Sequence, residues 1–127
     1  VSYALHPHPG YATSYKVKTN GFSVVYTTDC EHPKNHFNKN VENIARNADV
    51  LIHDSHFTRA DLVNHKGWGH SSWETTIKLA EKVNVNKAIL YHYNPLYNDD
   101  QLLEIENKAK KAFKNTIASK QGLKINF

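Results

Sequence analysis

Three short apolar strands in this sequence each run into an aspartate or a histidine, and this repetition constrains the fold more than any other feature. The strands and the residues that follow them are Phe22–Thr27 with Asp29, residues 50–52 with His53-Asp54, and Lys87–Tyr91 with His92. Strands that alternate with helices predict an α/β layer arrangement. Because ligands bind at the carboxyl ends of strands in open α/β sheets, we expect these polar side chains to form one site.

A β-hairpin opens the predicted order of elements. Residues 13–18 and Phe22–Thr27 read as strands, and Asn20-Gly21 between them is a strong signal for a two-residue turn. The remaining predicted elements are a helix at 41–48, a helix capped by Ser71 or Ser72, a helix capped by Asp99 or Asp100 that runs to about residue 118, and a last strand at 123–127. The polar and aromatic loop 55–72 is long enough to carry chemistry.

Composition favours one soluble domain. The 127 residues, 39% of them hydrophobic and 22% charged, suffice for a core and exclude a disordered or collagen-like chain. No apolar run approaches the roughly 20 residues that cross a bilayer, so we expect no membrane insertion. The single cysteine, Cys30, excludes an internal disulfide and favours a reducing, cytoplasmic location. Lysines account for much of the net charge of +4, and those at 108–124 indicate a solvated helix face rather than a nucleic-acid surface.

Nine histidines, several beside Asp, Gly or Pro, point to metal or acid–base chemistry. Each signal taken alone also has an ordinary structural interpretation. Asp29 suits a turn or a helix cap, His92 and His53-Asp54 suit hydrogen-bonded strand ends, and Gly69-His70-Ser71-Ser72 suits a helix entrance. Their joint position after successive elements favours a site.

In this order the motifs resemble the C-terminal half of metallo-β-lactamase-superfamily hydrolases, and most of all the ribonuclease Z-like branch. The residues that carry the resemblance are Tyr26-Thr27-Thr28-Asp29, Ala48-Asp49-Val50-Leu51-Ile52-His53-Asp54, Gly69-His70-Ser71-Ser72 and Leu90-Tyr91-His92. The resemblance implies half of a four-layer αββα sandwich, in which two sheets pack between helices. Residues 1–127 are then expected to form the C-terminal half of one domain.

The resemblance also implies roles for individual residues. Asp29 would bridge two divalent metal ions and His92 would be the last histidine ligand of one of them, with zinc expected first and manganese or iron also compatible. His70 would assist proton transfer to the leaving group or stabilise charge on a scissile phosphate. We expect Asp54 to orient His70 or to contact a ligand histidine. The implied reaction is hydrolysis of a phosphodiester or related ester by metal-activated water, with a small-molecule or phosphodiester substrate.

One family motif is absent, because the sequence has no His-x-His-x-Asp-His. His6 and His8 have the spacing of its first pair, but Gly10-Tyr11 follows, and we do not expect these two histidines to bind the catalytic metal. The loop histidines are expected to be exposed or locally bonded; they are His32, His36, His56 and His65. Two ligands leave a zinc site incomplete, so we expect the chain alone to bind metal poorly and to be inactive. An upstream half, in the same chain or supplied by another polypeptide, would complete it, and a homodimer is also compatible with the sequence.

Two alternatives stay open. The chain is also compatible with a noncatalytic regulatory or interaction module that retains half of the fold, for which the missing histidine motif is the supporting feature. A receiver-like domain whose strand-end aspartates bind Mg²⁺ is the third reading. It leaves the Gly69-His70-Ser71-Ser72 motif and His92 unexplained.

Overall fold

A mixed sheet with helices on one face is the framework of the computed structural model, which describes residues 1–126. In chain order the elements of these residues are β1 (Ser2–His8), β2 (Gly10–Thr19), β3 (Phe22–Thr27), α1 (Lys39–Ala45), β4 (Val50–Asp54), α2 (Arg59–Leu62), α3 (Trp73–Lys82), β5 (Lys87–Tyr91), α4 (Asp99–Ala112) and β6 (Thr116–Ala118). The strands lie in the order β1-β2-β3-β4-β5-β6. The first three are antiparallel and β3 to β6 are parallel, which confirms the predicted α/β arrangement.

The predicted hairpin is present and its second strand has the predicted bounds. Asn20 and Gly21 have φ angles of 47° and 81° between β2 and β3. A two-residue hairpin needs a turn whose twist matches that of its strands, and this turn has positive φ at both central residues. Asparagine followed by glycine is the usual pair at these positions. The sequence therefore sets the register of the strand that leads to Asp29.

Strand β1 was not predicted, because His6-Pro7-His8-Pro9 suggests an extended or turn segment rather than a paired strand. It pairs with β2 over its whole length, from Ser2 opposite Lys16 to His8 opposite Gly10. Proline is tolerated here since β1 is an edge strand of the described sheet. This pairing buries His6 at 1% exposure.

The core lies between the sheet and helices α1, α3 and α4. Buried apolar side chains that build it from the sheet are Val25, Leu51, Ala88 and Leu90, and those from the helices are Val41, Ala45, Ile77, Leu79, Ala80, Ile105 and Ala109. Fully burying a leucine contributes about 1.5–3 kcal/mol to the stability of a fold. Among residues 1–126 no helix has the length and apolarity to cross a bilayer.

The opposite face of the sheet carries apolar side chains that nothing in residues 1–126 covers. Tyr3 and Tyr15 lie opposite each other in the β1–β2 register, and their exposed fractions are 72% and 47%. Val17 and Tyr91 on the same face are 47% and 37% exposed. A contiguous apolar surface of this kind usually marks an interaction site.

The C-terminal part differs from the sequence prediction in three places. Asn98, rather than Asp99 or Asp100, caps α4 through a reciprocal capping box with Gln101. The helix ends at Ala112 instead of about residue 118, and Thr116–Ala118 forms β6 beside β5. The β-branched pair Thr116 and Ile117 fits a helix face by spacing but prefers a strand. Residues 123–126 of the predicted last strand are not in a strand, and Phe127 lies outside the described residues.

Leu90→Ala should destabilise the fold by about 2–5 kcal/mol, because Leu90 is fully buried under the helices and its loss leaves a cavity. Leu103→Ala is the matched control, since Leu103 is 56% exposed and its loss should cost about 0.5 kcal/mol or less. Urea unfolding followed by circular dichroism measures both. Equal midpoints for the two variants would contradict the core described above.

Candidate metal and acid–base site

The carboxyl ends of β3, β4 and β5 bring the predicted site residues together. The three strands are adjacent and parallel. Asp29 follows β3 by two residues, Asp54 is the last residue of β4, and His92 comes directly after β5. Asp29 and His92 have φ angles of 53° and 63°. Positive φ costs free energy for residues other than glycine, and such positions cluster at functional sites.

Asp29 and His92 have a geometry suited to binding one cation together. Nε2 of His92 lies 3.5 Å from Oδ1 of Asp29. This distance exceeds the usual range of about 2.7–3.2 Å for a hydrogen bond. Two ligand atoms on one tetrahedral zinc ion, each about 2.0–2.2 Å from the metal, lie about 3.4 Å apart. The donor atoms and their spacing therefore fit a zinc-type ion, and both side chains are about one-third exposed.

Asp54 is buried and holds His70 directly. Nδ1 of His70 donates to Oδ2 of Asp54 at 2.8 Å, and the backbone N–H of Ser71 donates to Oδ1 at 3.1 Å. The backbone N–H groups of Cys30 and His56 donate to the same carboxylate at 3.3 and 3.2 Å. Burial opposes ionisation of Asp54, but the hydrogen bonds from His70 and Ser71 outweigh it and hold the pKa below its ordinary value.

His70 is the titratable side chain that the buried carboxylate of Asp54 holds. Its hydrogen bond to Asp54 raises its pKa, against the opposing effect of burial. Because Nδ1 is engaged by the carboxylate, Nε2 is left as the atom that can exchange a proton. An imidazole held this way by a buried carboxylate is fixed in both orientation and tautomer.

Glu31 fixes the backbone that leads into His70. Its carboxylate accepts from the N–H of Gly67 at 2.9 and 3.0 Å and from the N–H of Gly69 at 2.8 Å. Both glycines have positive φ, 85° and 87°. Glu31 follows Asp29 by two residues, so the segment after β3 and the turn before His70 are held together. No sequence pattern marked Glu31 in advance.

Two histidines that were not predicted to belong to the site lie in it. Nδ1 of His8 donates to the carbonyl of Gly69 at 2.9 Å, and its Nε2 is 3.6 Å from Oδ1 of Asp29. Nδ1 of His56 donates to the carbonyl of His92 at 2.9 Å. The His56 ring stacks on His70, with centroids 4.3 Å apart and 16° between the planes. The available signal for His56 was its position two residues after a strand-end carboxylate.

His32 and His53 form a hydrogen-bonded relay beneath the site. The backbone N–H of Asn38 donates to Nδ1 of His32 at 3.0 Å, and Nδ1 of His53 donates to the carbonyl of Asp54 at 2.8 Å. The Nε2 atoms of the two rings are 3.1 Å apart with 7° between the planes. His32 therefore donates from Nε2 to His53, and every nitrogen has a partner without a metal. Burial lowers the pKa of both rings, which keeps them neutral.

The remaining loop histidines are as the sequence predicts. His36 is exposed, and His65 makes a local hydrogen bond from Nδ1 to the carbonyl of Asp61 at 2.7 Å. Neither belongs to a group of potential metal ligands among the described residues.

Sequence comparison matches residues 2–93 to the beta-lactamase superfamily domain. The chain is 42% identical over 104 residues to ribonuclease Z of Archaeoglobus fulgidus, an alignment that covers 79% of this chain and 31% of that protein. The chain thus spans about a third of the length of the relatives it matches.

Structural comparison finds the same fold. The metallo-beta-lactamase fold protein YhfI from Bacillus subtilis superposes with a TM-score of 0.75 at 20% identity, covering 96% of this chain and 47% of that one. Zn(2+)-bound PqqB from Methylobacterium extorquens superposes with a TM-score of 0.67 at 16% identity, covering 98% and 46%.

The fold and the domain match define the class: this chain belongs to the metallo-β-lactamase superfamily. Within that superfamily it is ribonuclease Z-like, as its motifs indicated.

Asp54→Asn should lower the pKa of His70, because the carboxylate that stabilises the imidazolium is replaced by a neutral amide. A ¹H–¹⁵N NMR titration of the His70 ring measures the change. Asp99→Asn, in the first turn of α4, is the control and should leave the His70 titration unchanged. A His70 pKa that stays the same in Asp54→Asn would refute the role assigned to this hydrogen bond.

Glu31→Ala should speed hydrogen exchange at the amides of Gly67 and Gly69 by about tenfold or more, because both lose a charged acceptor worth about 1.5–3 kcal/mol. Exchange measured by NMR in the folded protein tests this. Glu81→Ala, on the exposed side of α3, provides the comparison. Unchanged exchange at both glycines would show that Glu31 does not hold the turn.

Proposed function

We propose that this chain is the C-terminal half of a metal-dependent hydrolase that cleaves phosphodiesters or related esters. The proposal rests on one observation. Asp29 and His92, whose atoms are suited to bind a metal ion, lie at the same site as His70, whose imidazole is hydrogen-bonded to the buried carboxylate of Asp54. The ribonuclease Z relatives support a phosphodiester as the substrate class, since a ribonuclease cleaves such bonds.

Asp29 and His92 would hold the divalent ion, for which zinc is the first candidate because imidazole and carboxylate are its common ligands. A bound ion of this kind supplies a Lewis acid and a water nucleophile at neutral pH. About one-third of each side chain is open to solvent, so a substrate could reach an ion that the two residues hold.

His70 would act as the proton donor to the leaving group. Asp54 keeps its ring oriented through Nδ1, so the proton is delivered from Nε2. The raised pKa keeps a larger fraction of His70 protonated near neutral pH. Turnover that depends on this proton should therefore fall as the pH rises through the raised pKa of His70.

The remaining ligands would come from an upstream half. Two ligands do not complete a zinc site that keeps one open position, and the chain spans about a third of its relatives. The uncovered apolar face around Tyr3, Tyr15 and Tyr91 is the surface on which a second sheet would pack. The same face also suits the alternative function, a noncatalytic module that docks on another protein.

Asp29→Ala and His92→Ala should abolish zinc content and hydrolysis of bis(p-nitrophenyl) phosphate when the upstream half is present. His70→Ala should keep the zinc content and lower turnover by about 10²–10⁴-fold, the usual contribution of a general acid. His36→Ala, an exposed histidine outside the site, is the control. Zinc is measured by elemental analysis of the same samples.

The alternative function predicts different results for the same measurements. A noncatalytic module would have no metal-dependent turnover in the wild type, and Asp29→Ala would bind a partner as the wild type does. Full zinc content and activity in either ligand variant would refute the proposed hydrolase site.

A further inference from the structure

We propose that the cavity beside His70 binds a second phosphate group of the substrate, next to the phosphodiester that is cleaved. The inference rests on the proposed function and deepens it, because it assigns substrate recognition to cationic side chains that take no part in the chemistry. These side chains, which we call the cationic wall, are Lys34, Arg59, Lys66 and Lys78.

The cavity has a volume of about 550 Å³ and lies between separate segments of the chain. Residues 31–37, in the loop after β3, line one side of it. Arg59 of α2, Lys66 in the turn before His70, and Lys78 in the second turn of α3 line the rest. His70 itself borders the cavity. A group bound there would therefore lie beside the imidazole to which we assign proton transfer.

The cationic wall carries charges that no carboxylate of residues 1–126 neutralises. Several lysines of the helices form salt bridges, such as Lys39 and Lys82 with Glu42, and Lys108 with Glu104. None of the four side chains of the cationic wall forms a salt bridge within the described part of the chain. All four are exposed. An anionic ligand can therefore pair with them without breaking an existing ion pair.

Glu31 is the only acidic residue among those described that line the cavity, and its carboxylate already has partners. It accepts from the backbone N–H groups of Gly67 and Gly69, in the turn that carries Lys66. The other side of this turn packs on His8, because a Cβ atom at position 69 would overlap the imidazole. The backbone of Lys66 is thus fixed before a ligand arrives, which lowers the entropic cost of binding.

The chemistry of the cationic wall favours phosphate over carboxylate. The guanidinium of Arg59 can donate two parallel hydrogen bonds to a phosphate, and the lysines add point charges around it. A phosphate group has oxygens in several directions and can contact cations from different segments at once, whereas the two oxygens of a carboxylate lie in one plane.

The position of His70 explains why this phosphate would be a neighbour of the scissile one. The ring of His70 lies 5.1 Å from that of His92, measured between centroids, and the same residue borders the cavity. A substrate whose phosphodiester is held at His92 therefore reaches the cavity with the adjoining part of the molecule. That part can be a terminal phosphate of a small molecule or the next phosphate of a nucleic-acid strand.

NMR titrations of the metal-free 127-residue chain with ribonucleotides test the inference without hydrolysis. UpU has a single phosphodiester, pUpU adds a terminal phosphate, and UpUpU adds a second phosphodiester. Triglutamate, a peptide of similar net charge to pUpU, tests whether the cavity attracts any anion.

Two pairs of lysines provide the variants. Lys66→Ala/Lys78→Ala removes two charges of the cationic wall, and Lys66→Arg/Lys78→Arg keeps them. Lys111→Ala/Lys114→Ala is the matched control, since these exposed lysines do not line the cavity. Substitutions at exposed positions usually change stability little, and urea midpoints verify that each variant folds.

We expect the wild type to bind pUpU or UpUpU about tenfold more tightly than UpU, because the added phosphate makes charge-assisted hydrogen bonds. Preference for pUpU would identify a terminal phosphate as the ligand, and preference for UpUpU a strand. Amide resonances of residues 34–36 and of Lys66 should shift. Lys66→Ala/Lys78→Ala should lose the preference, whereas the arginine variant and the control should keep it. Added salt should weaken the preference.

Equal affinities of the wild type for UpU, pUpU and UpUpU would overturn the inference. A preference that persists in Lys66→Ala/Lys78→Ala, or triglutamate binding as tight as that of pUpU, would do the same. The proposed function fails separately, if Asp29→Ala keeps full zinc content and activity, and that measurement does not involve the cationic wall.

Discussion

The site depends on one buried carboxylate. Asp54, at the end of β4, accepts hydrogen bonds from the backbone after β3, from the loop that follows its own strand, and from the ring of His70. A buried charge without partners would cost several kcal/mol of folding free energy. The groups that donate to Asp54 are therefore held in place by the cost of leaving its carboxylate unpaired. The positions of Cys30, next to Asp29, and of His70 are consequently set by the same oxygen atom, Oδ2 of Asp54.

Around that carboxylate, each proposed functional side chain is held by a second segment. Glu31 joins the backbone after Asp29 to the turn before His70, and His56 joins the loop after β4 to the carbonyl of His92. The ends of the strands set the positions of these side chains, and hydrogen bonds from the loops set their orientation. The core lies between the sheet and the helices, whereas this polar network lies at the carboxyl ends of β3, β4 and β5.

Sequence reasoning placed Asp29, Asp54 and His92 at neighbouring strand ends because strand periodicity and the hairpin turn are local signals. It missed β1, since two prolines hide a strand whose pairing with β2 is decided by contacts farther along the chain. It also extended α4 too far, because Ile117 satisfies both a helical spacing and a place beside Ile89. His8 was left out of the predicted site because the residues that it contacts, Asp29 and Gly69, are distant from it in sequence.

The close approach of Gly69 to the imidazole of His8 links two positions that are 61 residues apart. Neither position can vary freely while the other is kept. Across related chains, a side chain at the place of Gly69 should therefore accompany a small residue at the place of His8, and an imidazole there should accompany glycine. Substitutions in the edge strand β1 should therefore correlate with substitutions in the loop before α3, because both positions share the space of one turn.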